Sequence, residues 1–249
     1  MSSLRRLALA LCAAPLALGL AACGDTDVGG LPSSEPIAKI AAPAGQQWVD
    51  AVALTPEGGW LVGNPQAPIK LVEYGSLTCP ACANFSQTGM QPLRDEYVSS
   101  GRVSWELRSV PLHGAVDLVL TRLLKCAPKE AGPLLAEQLW GNLNAVLDPI
   151  QANAAAIEQA MSLPEDQRFV AYAEQGQLLE FFAQRGIAAD QARQCLSDFA
   201  AMQALAQSLQ AQSDKDGVTG TPTFFINGSR MDETNWASVE AALQRAGAR

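Results

Sequence analysis

The sequence predicts one α/β domain: a β-α-β unit, a block of helices, then a β-β-α unit returning the chain to the same sheet. Three observations carry this reading. The apolar segment Ile69–Tyr74 runs through the turn Gly75-Ser76-Leu77-Thr78 into Cys79-Pro80-Ala81-Cys82 and a helical stretch. Residues from about 114 to 212 then repeat their apolar positions at helical rather than alternating spacing. Last, Thr223-Phe224-Phe225-Ile226 is followed by Asn227-Gly228, residues that tolerate the positive φ both centres of a tight hairpin turn require.

The N-terminus reads as a leader. Arg5 and Arg6 precede an apolar run, Leu7–Leu20, too short for an ordinary membrane span. Leu20-Ala21-Ala22-Cys23 resembles the bacterial lipobox, cut before a cysteine that receives diacylglycerol; an ordinary secretory signal is the other reading. Residues 1–22 are therefore the expected signal peptide and Cys23 the expected lipidation site. Gly24, rather than Asp, resembles the outer-membrane sorting pattern. Removing the leader shifts the net charge from −8 to about −10, which disfavours nucleic-acid binding by phosphate repulsion.

Residues 23–46 are rich in Gly, Pro, Ser and Ala without periodicity and read as a flexible tether to a domain covering 47–249. Trp48–Leu54 reads as a strand, Pro56–Gly59 as a turn and Trp60–Val62 as its partner. Ile69–Tyr74 is the central strand. Gly89 and Pro92 should interrupt the following helix, giving a bend or two helices, the second reaching about Val98. Arg102–Val110 closes the β-α-β unit, so its two strands should be parallel. In the insertion, Val116, Val119, Leu120, Leu123 and Leu124 form one apolar face, and Leu135, Leu139, Leu143 and Val146 another. Further helices are expected over 150–161, 165–185 and 190–212, with Gly186 as a stop. Trp236, Val239, Ala242 and Leu243 make the closing helix amphipathic.

Of six cysteines, Cys12 leaves with the leader and Cys23 takes the lipid, leaving an even four. In an exported chain that points to two disulfides. Cys126 and Cys195 would close a loop of about 70 residues, the alternative being two buried thiols. Cys79 and Cys82 sit where a strand turns into a helix. Pro80 suits the first helical turn, and the free N–H groups there favour the Cys79 thiolate, the reactive form. Zinc binding would need a second closely spaced pair, which the chain lacks. A purely structural ring this small, or two inert thiols, are the remaining alternatives; redox chemistry fits the context best. His113, the only histidine, reads as a solvated helix-start residue, and the five tryptophans as packing.

The Cys79-Pro80-Ala81-Cys82 motif, with Glu73 before it and Gly220-Thr221-Pro222-Thr223-Phe224-Phe225-Ile226-Asn227-Gly228 far behind it, resembles the DsbA-like branch of the thioredoxin superfamily. The likeness runs from about Val62 to the C-terminus. It implies the thioredoxin fold with an all-helical insertion, and a thiol–disulfide oxidoreductase without metal or organic cofactor. It also implies roles: Cys79 as the exposed nucleophile, Cys82 as the buried resolving cysteine, and Thr221–Pro222 as a cis bond against the sulfurs. Glu73, in an otherwise apolar strand, should be buried with a raised pKa and move the proton of Cys82; a water-facing strand-edge Glu is the alternative. Ala81, like Pro80, tunes the pair; it stands where the strongest oxidases carry histidine, which leaves the direction of electron flow open. The expected partners are exported proteins bearing thiols and a membrane quinone-linked oxidase. The expected place is the periplasm, lipid-anchored at the outer membrane more than the inner. No dimerisation domain is evident, so a monomer is expected. A reductase or isomerase, or a non-enzymatic peptide-binding or chaperone module, is the alternative activity.

Overall fold

The structure, a computed structural model, describes residues 34–249. The signal peptide, Cys23 and the first part of the tether lie outside the described residues. Residues 34–46 have no regular helix or strand, yet Ser34, Ile37 and Ile40 donate backbone bonds to Arg245, Gly247 and Ser100. This part of the expected tether is thus held along the domain. The sequence concealed that because main-chain bonds need no particular side chain.

Among the described residues, six strands form one mixed sheet in the order β1-β2-β4-β3-β5-β6. They are β1 Val52–Leu54, β2 Trp60–Gly63, β3 Ile69–Gly75, β4 Val103–Ser109, β5 Thr223–Ile226 and β6 Ser229–Arg230. β3 and β4 are parallel, as the β-α-β reading requires, and all other neighbours are antiparallel. The expected strand over Trp48–Leu54 is shorter than read: Trp48–Asp50 is a 3-10 turn. There the Trp48 indole N–H donates to the Ile40 carbonyl at 2.8 Å.

Helix α1, Pro80–Pro92, links β3 to β4 and passes into a π-helical turn over Leu93–Val98. The interruption expected at Gly89 and Pro92 is a change of winding after Pro92, whereas Gly89 lies within α1. Gly89 also has a packing reason: a Cβ there would lie 2.9 Å from Trp236 on the closing helix α10, Trp236–Arg245. The rings of Phe85 and Phe224, with centroids 4.5 Å apart, join α1 to β5. At the hairpin, Asn227 and Gly228 both have positive φ, 49° and 83°.

The helical insertion occupies Ala115–Lys215 in shorter pieces than periodicity suggested. They are α2 Ala115–Cys126, α3 Gly132–Gly141, α4 Leu143–Ala152, α5 Ala154–Ala160, α6 Arg168–Gln175, α7 Leu178–Ala183, α8 Ala189–Ser197 and α9 Phe199–Lys215. The expected 165–185 helix breaks at Gly176 and Gln177, the latter in left-handed backbone. The expected 190–212 helix breaks at Asp198, whose carboxylate caps α9 by accepting from Ala201 N–H at 3.0 Å. The apolar period persists across both breaks, so hydrophobicity alone did not mark them. Leu120, Leu123, Leu139, Phe182 and Leu196 are fully buried and join the sheet in one continuous core.

Candidate active site

Cys79 is the N-cap of α1 and Pro80 its first residue. Helix capping brings the Cys82 N–H to 3.5 Å from Cys79 Sγ, and the Cys79 thiol donates to the Thr221 carbonyl at 3.3 Å. The Thr221–Pro222 bond is cis, the geometry the resemblance implied. Cys79 and Cys82 are thiols in this structure. Cys79 keeps 5% exposure and Cys82 none, so the order of exposure is the expected one, although Cys79 is more enclosed than an exposed nucleophile suggests. Pro80 and Ala81 face outward.

The two sulfurs are electrostatically opposed. The Cys82 thiol donates to Cys79 and so lowers the Cys79 pKa, against the opposing effect of burial; the Thr221 side chain and the N–H groups of Cys82 and Ala81 add to the lowering, which reaches about 5. The same hydrogen bond raises the Cys82 pKa, burial raises it further, and Glu73 adds to the rise when it is ionised. These effects favour ionisation at Cys79 and the protonated thiol at Cys82.

Glu73 lies on β3 with no solvent exposure. Burial raises its pKa to about 8, with Trp105 partly offsetting the rise. Trp105 Nε1–H donates to Glu73 Oε2 at 3.1 Å, while Oε1 has no hydrogen-bond partner. A carboxyl held neutral near physiological pH, and coupled by charge to both cysteines, can give or take a proton there.

Several residues around the motif were not expected to take part. Asp117 on α2 accepts from Ser76 and Thr78 in the turn before Cys79. Trp140 on α3 donates to the Ser76 carbonyl at 3.0 Å. His113 corrects the solvated reading in part: its side chain is 52% exposed, yet Nδ1 lies 2.7 Å from Thr78 Oγ1. Trp105 and Trp140 likewise do more than pack. Only the fourfold spacing of His113 and Asp117, beside an apolar helix face, hinted at this from the sequence.

Cys126 and Cys195 form a disulfide joining α2 to α8, with Cα atoms 6.2 Å apart. The expected pairing is present, and it lies within the insertion rather than at the Cys79 turn.

A family model described as Thioredoxin matches residues 55–245. A Rickettsia bellii protein whose name proposes a protein-disulfide oxidoreductase is 23% identical over 76% of this chain, and the chain spans 65% of that protein's length. A solved structure from Novosphingobium aromaticivorans, described as a protein-disulfide isomerase, is 28% identical with a TM-score of 0.66, covering 75% of this chain and 96% of its own. Wolbachia pipientis alpha-DsbA1 shares the fold at 19% identity and a TM-score of 0.60, over 78% of this chain and 93% of its own. With the family model spanning most of the chain, the chain belongs to the thioredoxin family, and it shares its fold with these two structures.

Proposed function

We propose that this chain is a thiol–disulfide oxidoreductase that donates the Cys79–Cys82 disulfide to dithiols of exported proteins. The observation that carries the reading is the opposed pair of sulfurs: a thiolate-favouring Cys79 against a thiol-favouring Cys82. A substrate thiolate attacks Cys79 Sγ, the S–S bond breaks, and Cys82 leaves with the electron pair. Cys82 then takes a proton, for which the neutral Glu73 carboxyl is the nearby source. A second substrate thiolate attacks the substrate sulfur of the mixed disulfide and expels Cys79 as a thiolate. The substrate is oxidised by two electrons and the protein is reduced by the same two. A low-pKa leaving thiolate favours this direction.

A membrane quinone-linked oxidase is the two-electron acceptor that would return the pair to the disulfide. The leader and Cys23 support a lipid-anchored protein facing the periplasm, and fractionation should move Cys23→Ala out of the membranes or leave it unprocessed. The chemistry uses no metal or organic cofactor, and the chain acts as a monomer. The test of the cysteine roles is trapping. Cys82→Ala should accumulate mixed disulfides with exported proteins on non-reducing gels, whereas Cys79→Ala should trap none and turn over no dithiol peptide. Equal trapping by both variants refutes the assignment.

A further inference from the structure

Asp117 is fully buried, and an isolated carboxylate there would be costly. Its position on α2 instead collects donors from the turn that leads into Cys79. Ser76 Oγ–H reaches both carboxylate oxygens at 2.9 and 3.1 Å; Thr78 N–H lies 3.2 Å and Thr78 Oγ1 3.0 Å from Oδ1. His113 N–H donates to Oδ2 at 2.8 Å, and the His113 ring nitrogen at Thr78 Oγ1 closes the network from the solvent side.

The same turn is held on its carbonyl side. Ser76 O accepts the Cys79 N–H at 3.2 Å and the Trp140 indole N–H at 3.0 Å. The insertion thus fixes the residues immediately before the nucleophile through α2, α3 and the loop ahead of α2. The contact that benefits is the cap of α1. Cys82 N–H lies 3.5 Å from Cys79 Sγ, an ordinary length for a hydrogen bond to sulfur, and its alignment depends on where the turn holds the Cys79 side chain.

We propose that Asp117 is a positioning residue for Cys79: by holding the Ser76–Thr78 turn, it keeps the Cys79 sulfur seated against the N–H groups at the start of α1. The proposal rests on the oxidoreductase reading for its functional meaning, but not for its test. The two ways in which Asp117 could act have opposite signs. If only its charge mattered, removing a buried anion would make the Cys79 thiolate easier to form. If it positions the turn, removing it makes the thiolate harder to form.

The experiment is titration of thiolate absorbance in the reduced protein. Asp117→Asn places an amide among donors, and Thr78→Val removes the hydroxyl while keeping the shape of the side chain. Both should raise the Cys79 midpoint by about one unit, the size of one lost hydrogen bond to a charged group. Thr78→Ser should stay close to wild type. An unchanged or lowered midpoint in folded Asp117→Asn, or equal behaviour of the Val and Ser variants, overturns the proposal. If Asp117→Asn does not fold, the Thr78 pair decides alone. These shifts in the variants, together with a wild type that exchanges with no dithiol peptide, would sink the oxidoreductase reading and leave the positioning intact.

Discussion

The chain carries two cysteine pairs in the described residues, and the protein treats them in opposite ways. Around Cys79 and Cys82 the neighbours address the sulfurs: the start of α1, Thr221 and a buried carboxyl all bias one protonation state. Around Cys126 and Cys195 they address the backbone. The Gln191 side chain donates to the Cys126 carbonyl at 2.7 Å, and Arg122 Nε donates to the Cys195 carbonyl at 3.1 Å. Each helix thus grips the main chain of the other, and the sulfurs complete a junction already made. A disulfide becomes reactive when its surroundings distinguish the two sulfurs, and becomes a brace when they only hold the chains together.

The largest effect should come from erasing the brace. The double variant Cys126→Ala/Cys195→Ala should lose up to roughly 4 kcal/mol of stability on the chain-entropy model, measured by denaturant unfolding. Exchange at Cys79 should continue in the folded fraction, and alkylation of the unreduced wild type should label neither Cys126 nor Cys195. Their labelling, or loss of exchange with the brace gone, would blur the contrast.

The next effect is at Glu73. Glu73→Gln keeps the shape but cannot supply the proton to Cys82, so turnover should fall by about a hundredfold, at the low end for a lost general acid. Stability gives a second readout. An unfolded Glu73 releases its proton near 4.5, whereas the folded protein keeps it to about 8. The folded state therefore binds the extra proton between those values, and rising pH withdraws stability across that window at up to about 1.4 kcal/mol per unit. Oxidised wild type should show this loss and oxidised Glu73→Gln should not; parallel pH–stability curves would place the carboxyl outside the proton path.

The smallest effect sharpens the asymmetry itself. Ala81 is exposed between the cysteines and contributes only its N–H to the thiolate. Ala81→His adds a polar or cationic group and should lower the Cys79 pKa by about one unit and raise the reduction potential by about 30 mV. Thiolate absorbance and glutathione equilibrium measure both. No movement, or movement the other way, would mean that side chains between the cysteines do not tune this pair.

Legibility followed range along the chain. The β3–α1 turn, the hairpin at Asn227-Gly228 and the parallel β3–β4 pair were readable because short stretches signalled them. The breaks at Gly176 and Asp198 were not, because the apolar period continued through them. The carboxylates show the same division: Glu73 stood out as a charge within an apolar strand, while Asp117 looked like an ordinary polar residue on an amphipathic helix.

What the sequence determined by itself is local stereochemistry: proline at the first turn of α1, two cysteines three positions apart on that turn, and two residues able to take positive φ at the hairpin. These need only neighbours in the chain, so residue types suffice. Tertiary structure decided which groups meet across long separations. Trp105 reaches Glu73 from 32 residues away, Asp117 reaches Ser76 from 41, and Trp140 reaches Ser76 from 64. Burial and hydrogen bonding at those meetings determine whether a carboxyl is neutral and where a turn rests, and both exist only once the sheet and the insertion have packed together.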